Sequence, residues 1–186
     1  GTRIGDKVLL VALSNGATFG LWSAMQPEWR DRIGAVVLIS PNIRPFDPNA
    51  RILLWPWGEP LADIILGDTR EWEPYTEDHG RYSTNRYPTR VLPQMMASVD
   101  LLSRQDPAQL RAPVLTFYSE QDDVISPQAV REYHERIPTR KRLVDVGNVG
   151  DPNNHLIEGD ALSPERTMPT VEEVLAFIQN NPESLQ

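Results

Sequence analysis

The stretch "VLLVALSNGATFG", residues 8–20, constrains the fold more than any other part of the chain. Six apolar residues give way to Ser14, Asn15 and Gly16, and then small residues recur every fourth position at Gly16, Gly20 and Ala24. A continuous apolar run, as opposed to an alternating one, predicts a strand covered on both faces, as in a parallel sheet flanked by helices. The small-residue stripe predicts a helix lying close on that sheet. Ser14 therefore falls at a strand end, where a serine has two uses: it caps the first amides of the helix, or it presents a hydroxyl for nucleophilic chemistry.

The rest of the chain repeats this alternation. Residues 7–13, 35–40, 113–118 and 141–146 read as strands. Ser126-Pro127 supplies an N-cap and a first-turn proline for a helix carrying Val130, Tyr133 and Ile137. Thr170 and Glu173 make a capping-box pattern ahead of Val171, Val174, Leu175 and Ile178 on one face. Strands alternating with helices predict an α/β fold with a mostly parallel sheet and flanking helices. A chain of 186 residues, 40% hydrophobic, is long enough for one core and short for two, so residues 1–186 are expected to form a single domain.

One segment, about 42–110, differs in texture. It is rich in proline and carries the aromatic group "LLWPWGEPLADIIL" at 53–66, which predicts a helical lid or cap inserted into the domain. Leu92, Met95, Met96, Val99 and Leu102 give residues 87–104 the spacing of an amphipathic helix. Trp55, Trp57 and Leu61 either hold this insertion together or line a pocket for an apolar acyl group, with His79 in a position to border the same channel.

Charge and composition exclude several classes. With 18 Lys and Arg against 26 Asp and Glu the formal net charge is −8, and no basic stripe is present, so nucleic acid is not an expected partner. The absence of cysteine removes disulfides, thiolate metal sites and a cysteine nucleophile, and leaves the compartment open. No run of about 18 apolar residues spans a membrane, and the first residues do not resemble a signal peptide. Glu120, Asp122 and Asp123 lack the spaced ligands and glycine turn of a calcium loop, so no metal is expected. An apolar strand so near residue 1 predicts companion strands upstream and makes pairing through that edge, including self-association, an expectation.

Serine-dependent acyl transfer needs a hydroxyl on a tight turn, an imidazole to take its proton and a carboxylate to orient the imidazole. The sequence offers each at a strand end: Ser14 after the first, Asp122 in "VLTFYSEQDDVISP" after the third, and His155 in "VGNVGDPNNHLIEGD" after the fourth. In an α/β sheet these loops share the carboxyl edge, where ligands bind. Asp123 competes with Asp122, and both compete with a turn-capping role before the Ser126 helix. Of the other histidines, His134 is expected on the solvated face of its helix, and His79 lies in the insertion.

These segments resemble the C-terminal two-thirds of an α/β-hydrolase of the esterase, lipase and serine-peptidase branch. "ALSNG", residues 12–16, is similar to the G-x-S-x-G nucleophile elbow, "SEQDDVISP" resembles the acid loop and "NNHLIEGD" the histidine loop, in the family order Ser, Asp, His. The resemblance implies Ser14 as nucleophile, His155 as general base, Asp122 as its acid partner, the Asn15 backbone amide as an oxyanion donor, no cofactor, and a small-molecule acyl substrate. Ala12 departs from the first glycine of the elbow, and the early loop that gives such enzymes a second oxyanion donor has no counterpart here. The expected activity is hydrolysis of a carboxylic ester or related acyl bond. The competing expectation is a catalytically silent module kept for binding or assembly, since loss of one oxyanion donor costs about 10²–10³ in turnover. A nucleotide-binding domain is disfavoured, because "SNGATFG" has neither the P-loop lysine nor G-x-G-x-x-G spacing.

Overall fold

Four strands, β1 (Val8–Leu13), β2 (Ile33–Ile39), β5 (Val114–Tyr118) and β6 (Lys141–Asp145), form one sheet in the order β1-β2-β5-β6, every pair parallel. The computed structural model describes residues 5–182. All of β2 and β5 is buried, which is why their sequences are apolar without alternation. β1 lies at the sheet edge, and there Val11 is 56% exposed.

The period of two along each strand divides the core into two layers. Val36, Leu38 and Val114 face α1 (Ser14–Met25) and α5 (Pro127–Glu135), packing on Leu21, Met25 and Tyr133. Val37, Ile39, Leu115 and Phe117 point to the opposite face and meet Phe177 of α6 (Pro164–Gln179). Each such side chain, fully buried, contributes about 1.5–3 kcal/mol. Close approach of α1 to β1 depends on Gly20, where a Cβ would sit 2.7 Å from Leu10 Cδ2 and 3.2 Å from Ala12 Cβ. The methyl of Ala12 is tolerated because a glycine faces it. The contact stripe of α1 is Ala17, Gly20 and Ala24; Gly16, expected in that stripe, is exposed.

Between β2 and β5 the chain forms a 3-10 turn (Pro48–Leu54), α2 (Gly58–Leu66), the short hairpin β3 (Thr69–Glu71) and β4 (Arg86–Pro88) with α3 (Glu77–Tyr82) between them, and α4 (Val91–Ser103). In α4, Met96, Val99 and Leu102 are buried as their spacing predicts. α4 packs on α1 and on the 3-10 turn, so the segment is attached to the core beside the end of β1.

Two expectations for helices are corrected. His134 is not on a solvated face: it is 7% exposed, with Nδ1 3.2 Å from Thr116 Oγ1 on β5. Val130, Tyr133 and Ile137 define a stripe that includes position 134, four residues past one member and three before another. The capping box at Thr170 and Glu173 is also absent. α6 starts six residues earlier at Pro164 and runs through Pro169, leaving Thr170 buried inside it, while Glu173 pairs with Arg142 at 2.8 Å. Its inward face is Thr170, Val174 and Phe177, whereas Val171 and Leu175 are exposed.

Burial, reinforced by the charge of Lys141, pushes His134 down from 6.5 to about 4. The same Lys141 caps the end of α5, its Nζ donating to the carbonyls of His134, Glu135 and Ile137 at 3.0, 2.6 and 2.8 Å. A histidine held neutral in the fold contributes stability that is complete above its unfolded value and is lost as pH falls, because the unfolded chain takes up the proton first. Urea unfolding from pH 7 to 4.5 should therefore show a decline that is shallower in His134→Gln than in the natural chain. Parallel slopes in the two proteins would contradict this assignment.

Candidate active site

Ser14 follows β1 directly and begins α1 with φ +52°, in the left-handed region that non-glycine residues enter only when the surroundings enforce it. Its hydroxyl does not cap the helix: the N-cap position belongs to Leu13, without a side-chain cap bond, and Ser14 Oγ lies 2.8 Å from His155 Nε2. The backbone carbonyl of Ser14 accepts from the Asn42 amide at 3.0 Å.

His155 Nδ1 lies 2.8 Å from Asp122 Oδ2. Asp122 is 1% exposed, and its Oδ1 accepts from the amides of Val124 and Ile125 at 2.9 Å each. Two acceptor interactions thus keep Oδ1 within its own turn, and Oδ2 faces the imidazole. Those partners set the tautomer: Nδ1–H donates to the carboxylate, so the Nε2 lone pair faces the serine hydroxyl. The backbone amide of Asp123 donates to Asn153 O at 3.2 Å. Burial, then the charges of Asp122 and Asp151, push the Asp123 carboxyl up.

The histidine loop is shaped by residues that sequence reasoning did not single out. Asp151 is buried, with Oδ2 accepting from the amides of His155 and Leu156 at 3.0 and 2.7 Å and Oδ1 from Asn153 at 3.2 Å. Its one signal in sequence is an aspartate opening "DPNN", a composition whose side chains bond their own backbone. Gly150 is required beside it, since a Cβ there would overlap the Leu162 carbonyl oxygen. On the other side, Ser40 Oγ donates to His155 O at 2.7 Å. Three residues past the imidazole, burial pushes Glu158 up to about 7 against the opposing pull of His155 and Arg166.

Asn15 occupies the first turn of α1, where backbone N–H groups have no intrahelical carbonyl. Its side chain is tied down by Ser98 of α4, Oγ to Oδ1 at 3.0 Å, which leaves the amide as the group available beside Ser14. A cavity of about 480 Å³ opens between the 3-10 turn, α2 and α4, lined by apolar Ile52, Leu53, Leu61, Ile65, Leu92 and Met95 among others. The sulfur of Met95, on its wall, accepts from Asn42 Nδ2 at 3.3 Å, and the backbone amide of Asn42 donates to Ser14 O.

Trp55 and Trp57 are not part of that cavity's wall and are 64% and 75% exposed. His79 is buried but engaged locally, stacked on Tyr75 at 5.7 Å with Nδ1 accepting from the Tyr75 amide. Its helix α3 is bound to the histidine loop through Thr76 Oγ1, which donates to Ala161 O at 2.9 Å. Among the described residues no group of three or more His, Asp or Glu could hold a metal ion.

No family model matches the sequence, and no curated protein matches it. Solved structures do match. The monoacylglycerol lipase of Paleococcus ferrophilus superposes with a TM-score of 0.69 and 17% identity over 97% of this chain and 71% of its own. A structure from work on LipS and LipT, two metagenome-derived lipolytic enzymes, gives 0.64 and 16% over 94% of this chain and 66% of that one. A soluble variant of monoglyceride lipase from Saccharomyces cerevisiae gives 0.62 and 10% over 93% and 64%. The fold is that of the α/β-hydrolases. This chain spans about two thirds of the length of those structures. In the α/β-hydrolase fold the carboxyl edge of the sheet collects the loops after successive strands, and Ser14, Asp122 and His155 lie on three of them.

Asp151 holds the histidine loop by accepting three amides, so Asp151→Ala leaves three buried or half-buried donors without partners. The expected loss is about 2–4 kcal/mol in chemical denaturation, from the cost of unsatisfied polar groups. A change within about 0.5 kcal/mol, the usual range for a surface substitution, would contradict that role.

Proposed function

We propose that this chain is a serine hydrolase that cleaves carboxylic esters through an acyl-enzyme. The observation that carries the reading is the unbroken chain from Ser14 Oγ through His155 to Asp122, with both links at 2.8 Å and the serine at φ +52°. Ser14 Oγ attacks the ester carbonyl carbon while His155 Nε2 takes the hydroxyl proton. The carbonyl oxygen becomes an oxyanion that accepts from the Asn15 amide. As the tetrahedral intermediate collapses, the carbon–oxygen bond to the alcohol breaks and the imidazolium returns the proton to the leaving oxygen. Water, deprotonated by the same imidazole, then attacks the acyl-serine, releasing the carboxylic acid and restoring the Ser14 hydroxyl. Asp122 remains ionised throughout, orients the ring and offsets its transient positive charge.

The segment between β2 and β5 acts in this reading as a lid, and its apolar cavity takes the hydrocarbon part of the substrate. The assignment of acyl-pocket residues moves in this reading from Trp55 and Trp57 to Leu61, Ile65, Leu92 and Met95, which border the cavity. Lipolytic activity in the names of the structural neighbours agrees with this chemistry. A second reading, a silent module for binding or assembly, is favoured by one observation: the free amides identified beside Ser14 all belong to the first turn of α1, with Asn15 among them. Under that reading ester turnover is absent while the fold is intact.

Two measurements separate these readings. Hydrolysis of p-nitrophenyl esters should be present and fall at least about 10⁴-fold in Ser14→Ala, the scale of losing a nucleophile that acts as a unit with its base. Turnover that survives in Ser14→Ala would contradict the nucleophile, and none in the natural chain would favour the silent module. Filling the cavity with Leu61→Trp should lower kcat/KM for decanoyl relative to acetyl ester by about 10-fold or more, since each methylene seated in an apolar pocket is worth about 1–3 kcal/mol. An unchanged ratio would remove the cavity from the substrate path.

A further inference from the structure

The turn that follows β2, Ser40-Pro41-Asn42, touches both halves of the site described above. Ser40 is completely buried, and its backbone has φ +42°, a conformation that a non-glycine residue keeps only where the surroundings over-determine it. Its amide donates to Phe117 O at 2.9 Å, continuing the ladder between β2 and β5. This fixes the residue to the sheet. From that anchored position its hydroxyl donates to the carbonyl of His155 at 2.7 Å, across 115 residues of sequence. Two residues on, the Asn42 amide donates to the Ser14 carbonyl at 3.0 Å, and the Asn42 carbonyl accepts from Thr18 Oγ1 of α1 at 2.8 Å.

We propose that Ser40 is a positioning residue: together with Asn42 it sets the separation of Ser14 and His155 by holding the backbone of both from one turn of the central sheet. This inference rests on the hydrolase reading. His155 has its N–H held by Asp151 Oδ2 at 3.0 Å and its C=O held by Ser40, so its peptide frame is fixed at both ends. Of these two anchors Asp151 lies in the same loop and would move with it, whereas Ser40 belongs to β2–β5 and ties the loop to the sheet. A serine, and not the glycine that φ +42° would otherwise favour, is explained by the need for that hydroxyl.

Ser40→Gly separates the hydroxyl from the backbone conformation, because glycine accepts the positive φ without strain. In the intact chain the variant should keep a cooperative unfolding transition, lower kcat by about 10–100-fold, the scale of a small misplacement of a reacting group, and leave KM within about 3-fold. Ser40→Ala, which also lacks the hydroxyl, should give the same split. A readout independent of turnover is the downfield proton resonance of His155 Nδ1–H bonded to Asp122, assigned by its loss in Asp122→Asn. It should broaden or shift in Ser40→Gly and persist in Ser14→Ala. Natural kcat with an unmoved resonance in Ser40→Gly overturns the proposal, as does a resonance that is missing from the natural chain. If the natural chain hydrolyses no ester but Ser40→Gly moves the resonance, the positioning role stands and the hydrolase reading fails. Loss of kcat with an unmoved resonance rejects positioning and leaves that reading intact.

Discussion

The hydrogen bond between Ser14 Oγ and His155 Nε2 joins residues 141 positions apart, and it forms only if three strand-end loops are held in register. The parallel order β1-β2-β5-β6 supplies that register, since every strand delivers its loop to the same edge. Backbone strain is concentrated there: Ser14, Ser40 and Asn154 all adopt positive φ, and each lies in a segment that touches the serine or the histidine. Conformations that cost about 1–3 kcal/mol each persist where packing leaves no alternative. Fully buried β2 and β5 provide that packing.

Burial also determines the electrostatics of the site. Asp122 is surrounded by donors, two amides and the imidazole, so a buried carboxylate is compensated from three directions. Asp123, one residue away, has no such set, and burial together with the neighbouring carboxylates raises its pKa instead. Adjacent aspartates thus acquire different properties from geometry alone. Asp151 takes a third role, spending its oxygens on the backbone of the loop that carries His155. The mostly apolar cavity beside α4 lies in the segment between β2 and β5.

Much of the sheet was legible in the sequence because buried parallel strands carry continuous apolar runs, as "GAVVLIS" and "VLTFY" do. The positions of Ser14, Asp122 and His155 at strand ends followed from the same runs. His134 was misread because a stripe drawn from Val130, Tyr133 and Ile137 was treated as excluding a polar residue on its own face. The start of α6 was missed because Thr170 and Glu173 match a capping-box pattern, although the helix begins at Pro164 and runs through Pro169. The hairpin β3–β4 gave no signal, since "TRE" and "RYP" are short and exposed. Trp55 and Trp57 suggested a pocket by composition, while the cavity is lined mostly by aliphatic side chains whose convergence depends on how α2 meets α4. Ser40 and Asp151 have roles defined by contacts across 115 residues and within a loop, and neither leaves a periodic trace.

The account depends on Ser14 being an activated nucleophile and not merely a strained turn residue. The direct test is incubation of the folded chain with a fluorophosphonate, followed by intact mass and peptide mapping, in the natural protein and in His155→Ala. A single phosphonyl adduct on Ser14, formed rapidly in the natural chain and slowed by about 10³-fold or more without the histidine, is the predicted result. An adduct on another residue, or labelling of Ser14 at the same rate without His155, would contradict it.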